Sequence, residues 1–569
     1  MPGPHAPQRG MRELLRVHGP ALGLTCTAMG LLAWSAWWAS PTFDEPFHLL
    51  RGLNYWWLGD MRAYYAEPPL FDAIASLPAA LTMPWIDLEA LRGWPALGKA
   101  SPAFLEADYA SIRPAMQLGR AVVLSVYASM MLLSYGLCLR IWGMASARMV
   151  LVLLCFEPLL LAHGHLLTTD LGLSAGLLAT ASATIYYLRT PGWRPFVWLI
   201  AAICFCTLTK ISGVAVGPMV AAIVFLRAGV RGPRFRAHRR ARRYLAAGSQ
   251  MLAAGLVVVL AINLAFRCDR SAMRVHEILH ERDARQRLKQ SNVLHALPED
   301  LRIPLPYMYI VSLVHVHEES QAGRRVFFNG TWRDRGTPRY YPTLLIVQGS
   351  PTLLALLALA FFLLVRRRKL SGSSQVIASF AILWLLLTMS SRVNIGFRHA
   401  LPIVPLLSLL AARAGACFLA DPYLRRARPM VYIILALAPV TGFVCAPRYL
   451  GFFNPMAGSR SRGHTINLLG EDWGQDLRDL VRYAGPNPKN LYYHEYRPGL
   501  GHRELRYLGL SYKELPCGEL PSAGTIAVHA TVVARGRCFP ELRADQASTT
   551  INDHILLFIR RSDSGPKAN

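Results

Sequence analysis

The sequence predicts an α-helical polytopic membrane protein of about eleven spans with a small outer α/β domain at its C-terminal end. Three observations carry that prediction. Of the 569 residues, 53% are hydrophobic and only 17% are charged, where a soluble domain holds about 25% charged residues. The apolar residues are gathered into runs long enough to cross lipid, where a helix of about 20 residues satisfies its own backbone. The basic residues cluster beside some of these runs and not beside others.

Eleven runs read as spans: 19–38, 119–142, 149–163, 171–188, 195–210, 212–226, 244–266, 343–365, 375–390, 401–420 and 430–446. The first is too long for a cleaved signal peptide, lacks a small-residue cleavage site and runs straight into a polar cluster at Asp44. The fifth and sixth are nearly continuous, which suits a hairpin or a broken pair. Arg9, Arg12 and Arg16 precede the first span, and Arg227, Arg231, Arg234, Arg236, Arg239, Arg240, Arg242 and Arg243 separate the sixth from the seventh. Arg366, Arg367, Arg368 and Lys369 follow the eighth, and Arg425, Arg426 and Arg428 follow the tenth. With eleven spans all four clusters fall on one side, which the positive-inside rule makes cytoplasmic. The N-terminus is then expected inside and the C-terminus outside. The net charge of +27 reads as orienting charge beside anionic lipid, or as a use for lipid phosphate, and not as nucleic-acid binding.

Three stretches outside the spans are too long to be connectors: 39–118, 267–342 and 447–569. The expected division is a membrane module, 1–446, and an outer α/β domain, 447–569, with strands at 490–493, 524–533 and 554–559 and a helix at 476–483. The ten cysteines show no metal-ligand spacing. Cys204 and Cys206 lie within a span, whereas Cys517 and Cys538 lie in the outer region, where a disulfide is chemically allowed. A transporter keeps its loops short and its polar residues at mid-membrane. Here the polar residues are spent on one face, which suits an enzyme at the lipid–water boundary. A glycolipid transporter and a non-catalytic envelope scaffold are the competing classes.

The first outer loop opens with Phe43-Asp44-Glu45-Pro46-Phe47-His48. Phe47, Leu50, Leu53 and Trp57 follow at helical spacing, which predicts an amphipathic helix with Tyr55, Trp56 and Trp57 at interface depth. Gly59-Asp60 ends it, and Glu67-Pro68-Pro69-Leu70 follows. Asp44 can act as the N-cap of this helix, with Pro46 in its first turn. Yet two adjacent carboxylates at the exit of a span are costly near lipid. With His48 one turn on, they form a reactive cluster.

The order Asp44-Glu45, His48, Gly52, Tyr55, Gly59-Asp60 and Pro68-Pro69-Leu70 resembles the first outer loop of the protein O-mannosyltransferase family. It is also similar to that of the bacterial aminoarabinose transferases of lipid A, both within the GT-C superfamily. Further matches follow in order: His165 to Asp170, Thr209-Lys210 with Ser212-Gly213, Asn329-Gly330 through Tyr340-Tyr341-Pro342, and Gly396-Phe397-Arg398-His399 with Leu401-Pro402. Asp472-Trp473-Gly474-Gln475-Asp476-Leu477, preceded by Phe453-Asn454 and Gly463, resembles a signature of uncharacterised bacterial members. Two departures stand out. Ala66-Glu67 precede the proline pair where relatives usually have His or Lys, and Gln348 stands where many carry lysine.

The resemblance implies a multi-pass protein of the bacterial inner membrane that transfers a sugar from a polyprenyl phosphate. The acceptor is a protein hydroxyl, a glycan or lipid A. It gives Asp44 the role of catalytic base, and general-base chemistry agrees, since a hydroxyl needs a carboxylate within hydrogen-bond reach. Attack from the far side of the anomeric carbon inverts the sugar. Lys210 and Arg398 are the expected phosphate contacts, against the alternatives of a snorkelling lysine and an orienting surface arginine. Asp170 positions the acceptor, steadies Arg398 or caps its helix. Glu45, His48 and Glu67 complete the expected substrate-binding set. His48, Glu67, His163 and His165 fit no standard cation site, so no cofactor is assigned and a divalent cation stays open.

Overall fold

The computed structural model describes residues 6–64, 67–83, 109–230, 237–281, 291–368, 370–458, 465–468, 470–485, 487–495 and 501–561. Ala66, Arg231, Arg234, Arg236, Lys369 and Gly463 from the motifs and clusters above lie outside them.

Among the described residues, seven helices are long and apolar enough to cross a membrane: Tyr109–Trp142, Thr169–Arg189, Ile211–Ala228, Ala241–Ala265, Gly372–Ser390, Ile403–Ala420 and Pro422–Cys445. Two bent pairs raise the count to nine, Met144–Phe156 with Pro158–Gly164 at 60° and Tyr340–Gln348 with Pro351–Arg366 at 114°. The other two expected spans are also helical, as Ala6–Trp38 and the apolar Trp193–Thr209. Leu252, Leu256, Leu260 and Leu264 recur every fourth residue and stay exposed, the stripe that a lipid-facing helix presents.

Both bends follow from sequence. Pro158 and Pro351 lack an N–H and push the preceding residue out of the helical region, so Glu157 and Ser350 are extended. Each break frees backbone groups that must be satisfied inside protein. Glu157 accepts from Ser350 N at 3.1 Å and Ser350 Oγ at 2.6 Å, joining the two breaks. Asn454 Nδ2 donates to Ile346 O at 2.7 Å and Gly349 O at 2.8 Å.

The bundle has two distinct ends. At one, Arg227 donates to Gly372 O at 2.8 Å, Arg366 lies 3.7 Å from Asp421, and His18 is 2.7 Å from the Tyr135 hydroxyl. Arg227 and Arg366, members of two basic clusters, therefore share this end with the first half of the Ala6–Trp38 helix. The opposite end carries the first outer loop. There the helices Glu45–Trp57 and Leu70–Thr82 lie in close contact, since a Cβ on Gly52 would sit 2.2 Å from Asp72 O.

The C-terminal region covers that second end. Its strands are β3 (Leu491–His494), β4 (Lys513–Glu514), β5 (Gly524–His529), β6 (Thr549–Ile551) and β7 (Ile555–Arg560), in the order β4-β3-β5-β7-β6. The first three pair in parallel, whereas β5–β7 and β6–β7 are antiparallel. The expected strand 524–533 stops at His529, and Ala530–Arg535 is a helix closed by Gly536 at φ +61°, where glycine ends a helix at little cost. The expected helix is present as Leu477–Ala484, and Cys517 and Cys538 form a disulfide. A separate hairpin, β1 (Val326–Phe328) and β2 (Thr331–Arg333), turns on Asn329-Gly330 with φ +52° and +73°, the favoured pair for a two-residue hairpin turn. Glu504 accepts from the Tyr109 hydroxyl at 2.7 Å, and Asp479 accepts from Trp38 Nε1 at 3.2 Å, docking this region on the membrane helices.

Candidate active site

Five of the seven expected site residues come together at the covered end. Asp44 ends the first span's exit and forms an ion pair with Arg398. Its carboxylate makes no capping hydrogen bond to the Glu45–Trp57 helix, so the simple N-cap role is not the one it fills. Arg398 sits on the short turn Phe397–His399. Burial works against its charge, and the Asp44 and Asp170 carboxylates outweigh that and raise its pKa.

Asp170 lies in the first turn of the Thr169–Arg189 helix and accepts from Lys210 Nζ at 2.6 Å. Lys210 is the extended residue between Trp193–Thr209 and Ile211–Ala215, with Glu67 Oε1 4.0 Å from its Nζ. The near-continuous fifth and sixth runs thus break at the lysine itself. Burial raises the pKa of Glu67 above its ordinary value, against the pull of Lys210 and Arg51. The two ion pairs act on one another, since Asp170 and Glu67 are both within electrostatic reach of Arg398.

Several polar atoms around these pairs are buried without a partner: Thr168 Oγ1, Thr209 Oγ1, His163 Nδ1, Glu67 Oε2 and Arg398 Nε. Thr209 directly precedes Lys210, Thr168 lies two residues before Asp170, and His163 lies within electrostatic reach of Asp170, Lys210 and Arg398. Unpaired buried donors and acceptors cost about 1–3 kcal/mol each, so their concentration here marks a place built for a polar ligand.

Glu45 and His48 are held by other partners, although His48 stays within electrostatic reach of Glu67. Glu45 is fully buried, and Arg120 grips both its oxygens, Nε at 2.7 Å and Nη2 at 2.6 Å. Thr42 N and Leu167 N donate to it at 2.8 and 2.9 Å. Burial alone would raise its pKa, but Arg120 more than reverses that. His48 Nδ1 is 2.8 Å from Asp72 Oδ1, and Arg51 Nε donates to Asp72 Oδ2 at 2.6 Å. Glu45, expected to bind substrate, therefore has its oxygens committed inside the protein, and His48 faces Asp72. Among the described residues no group of three or more His, Cys, Asp or Glu side chains gathers to hold a metal ion. Gln348, at the position where lysine was expected, donates to Glu471 Oε1 at 2.8 Å.

Arg51, Asp72 and Arg120 were not singled out from sequence, although each is a charge within an otherwise apolar helical stretch, which is the signal that finds such residues. Trp473 was singled out only as part of a motif. Its ring lies under Arg398, 4.8 Å from Cζ.

No family model matches the sequence, and no curated protein matches it. Solved structures do. The crystal structure of ArnT from Cupriavidus metallidurans bound to undecaprenyl phosphate is similar at a TM-score of 0.50 and 14% identity, over 97% of this chain and 100% of that one. Apo ArnT gives 0.47 and 14%, over 96% and 99%. The apo oligosaccharyltransferase of Archaeoglobus fulgidus gives 0.44 and 12%, over 86% and 59%. The match to the first runs the length of both chains and is a likeness of fold. This chain is a multi-pass membrane protein whose fold is similar to that of ArnT along its whole length.

Proposed function

We propose that this chain is an inverting glycosyltransferase that takes a sugar from a polyprenyl-phosphate donor and transfers it to a hydroxyl or lipid A acceptor on the outer face of the membrane. The observation that carries the reading is the pair of linked ion pairs, Asp44–Arg398 and Asp170–Lys210, set among buried polar atoms without partners. ArnT, whose fold this chain shares, is bound to undecaprenyl phosphate in its crystal.

In this reading the donor phosphate engages Arg398 through in-plane N–H groups, a geometry that guanidinium offers and ammonium does not. The phosphate competes with Asp44 for that guanidinium, and the released carboxylate turns to the acceptor. The acceptor oxygen bonds to the anomeric carbon as its proton passes to Asp44. The bond from that carbon to the phosphate oxygen breaks, and its electron pair leaves with polyprenyl phosphate, whose charge Arg398 and Lys210 balance. Asp170 holds Lys210 in place. Glu45 and His48 are assigned to the support of the first loop, through Arg120 and Asp72.

The decisive variant is Asp44→Asn. Asn keeps the shape and, with no cap bond to lose, leaves the helix start unchanged, but it accepts no proton at neutral pH. Transfer is expected to fall by about 10²–10⁴-fold while undecaprenyl phosphate still binds. Mass spectrometry of envelope proteins and glycolipids from cells lacking the gene, complemented with either form, reads the outcome. Sugar modification at the wild-type level with Asp44→Asn removes the general-base mechanism.

A further inference from the structure

The loop of residues 470–476 belongs to the C-terminal region, yet it reaches into the site. Trp473 is buried, at 1% exposure, among three elements of the membrane module. Its ring centroid lies 5.6 Å from that of Phe43 and 5.5 Å from that of His163, and Arg398 Cζ lies 4.8 Å from it. The loop backbone also pairs with the segment just before Asp44. Ser40 N donates to Gln475 O at 3.0 Å, and Phe43 N donates to Trp473 O at 3.2 Å. Gly396 and Gly470 touch backbone to backbone, since a Cβ on Gly396 would lie 2.9 Å from Gly470 Cα. One loop therefore fixes both members of the Asp44–Arg398 pair.

The loop is itself held firmly. Gln475 bridges it internally, accepting from Trp473 N at 2.8 Å and donating to Glu471 O at 2.8 Å. Asp472 pairs with His529 at the end of β5 at 2.9 Å, and Asp476 pairs with His554 ahead of β7 at 2.5 Å. The sheet is thus the anchor, and the Asp-Trp-Gly-Gln-Asp run is what it presents.

We infer that Trp473 is the positioning residue of the donor-phosphate site, fixing the plane of the Arg398 guanidinium so that its N–H edge is offered to phosphate. An aromatic face binds guanidinium through its ring quadrupole and uses none of the in-plane donors. Asp44 takes Nη1, and Nε is buried without a hydrogen-bond partner among the described residues, so contact with the ring keeps donors for an incoming anion. The C-terminal region then completes the site rather than merely covering it. The inference rests on the reading of Arg398 as the phosphate contact, and the test separates the two.

The full chain in lipid nanodiscs is titrated with undecaprenyl phosphate, and affinity and melting temperature are measured together. Arg398→Ala tests the underlying reading, and unchanged affinity there overturns it. Given weakened binding in Arg398→Ala, Trp473→Leu is expected to lose about five- to thirty-fold in affinity, the range that a desolvated cation–π contact carries. Trp473→Phe is expected to recover most of that loss, because it keeps an aromatic face. Equal loss in Leu and Phe at equal melting temperature, or no loss in Leu, overturns the inference. Should Trp473→Leu fail to fold, fluorinated tryptophans placed at 473 keep the shape while withdrawing electrons from the ring. Affinity then falls stepwise with fluorination if the inference holds and stays constant if it does not.

Discussion

At the scale of single residues, the burial of Glu45 against Arg120 takes both charges out of water. Both side chains are at most 1% exposed, and every oxygen of Glu45 is bound. Replacing such a pair with apolar groups is often neutral, whereas removing one partner leaves an uncompensated charge and costs about 3–5 kcal/mol. Arg120→Met is therefore expected to lower the melting temperature sharply. The double variant Glu45→Gln/Arg120→Met is expected to recover much of the loss, and calorimetry in detergent measures both. A double variant no better than the single one would show that Arg120 acts through Ala36 O and Ala39 O, to which it also donates. Adjacent carboxylates thus have opposite lives, since Asp44 faces a site cation and Glu45 is spent on architecture. Their sequence neighbourhood is the same, and only the distant arginines separate them.

At the scale of elements, the 470–476 loop depends on ionised Asp472. Burial would raise its pKa, but the His529 imidazole outweighs that and lowers it below the ordinary 3.8. A depressed carboxylate contributes stability that is complete above its unfolded pKa and is lost as pH falls through the folded value. Wild-type protein is therefore expected to hold this contribution from neutral pH to about pH 4 and to lose it below. Asp472→Asn should be less stable at pH 7, by on the order of 1–3 kcal/mol, and should show a shallower acid decline. Parallel acid profiles for the two proteins would exclude the pair as an anchor. Elements also show what sequence reveals and what it hides. Asp44, Asp170, Lys210 and Arg398 were legible because each is a charge at the edge of an apolar run and the motifs keep their order. Glu45 and His48 were grouped with them because helical spacing says which residues share a face, not which distant helix meets that face. Residues 530–533 were read as the continuation of the strand from 524, although Gly536 marked a helix stop. Asn329-Gly330 carried a strong hairpin signal that the motif reading passed over. Pro158 and Pro351 announced both bends, but nothing local indicates that Glu157 and Ser350 join them.

At the scale of the whole molecule, Arg227 and Arg366 of the basic clusters lie at one end of the bundle and the candidate site at the other. If the positive-inside rule governs here, a reporter fused after Asn569 is active only outside the cytoplasm. Cytoplasmic activity would reverse the orientation and place the candidate site on the cytoplasmic face. The site itself is assembled from chain segments that are far apart. Glu45 meets Arg120 after 75 residues, but Asp44 meets Arg398 only after 354, and Trp473 comes later still. This spacing sets an order of maturation. A chain emerging from the ribosome secures its first outer loop early, through Glu45, while Asp44 waits without its cation until nearly all the spans are inserted. On the proposed role of Asp44, chains that stall or insert wrongly are therefore born silent, carrying that carboxylate without the arginine it pairs with.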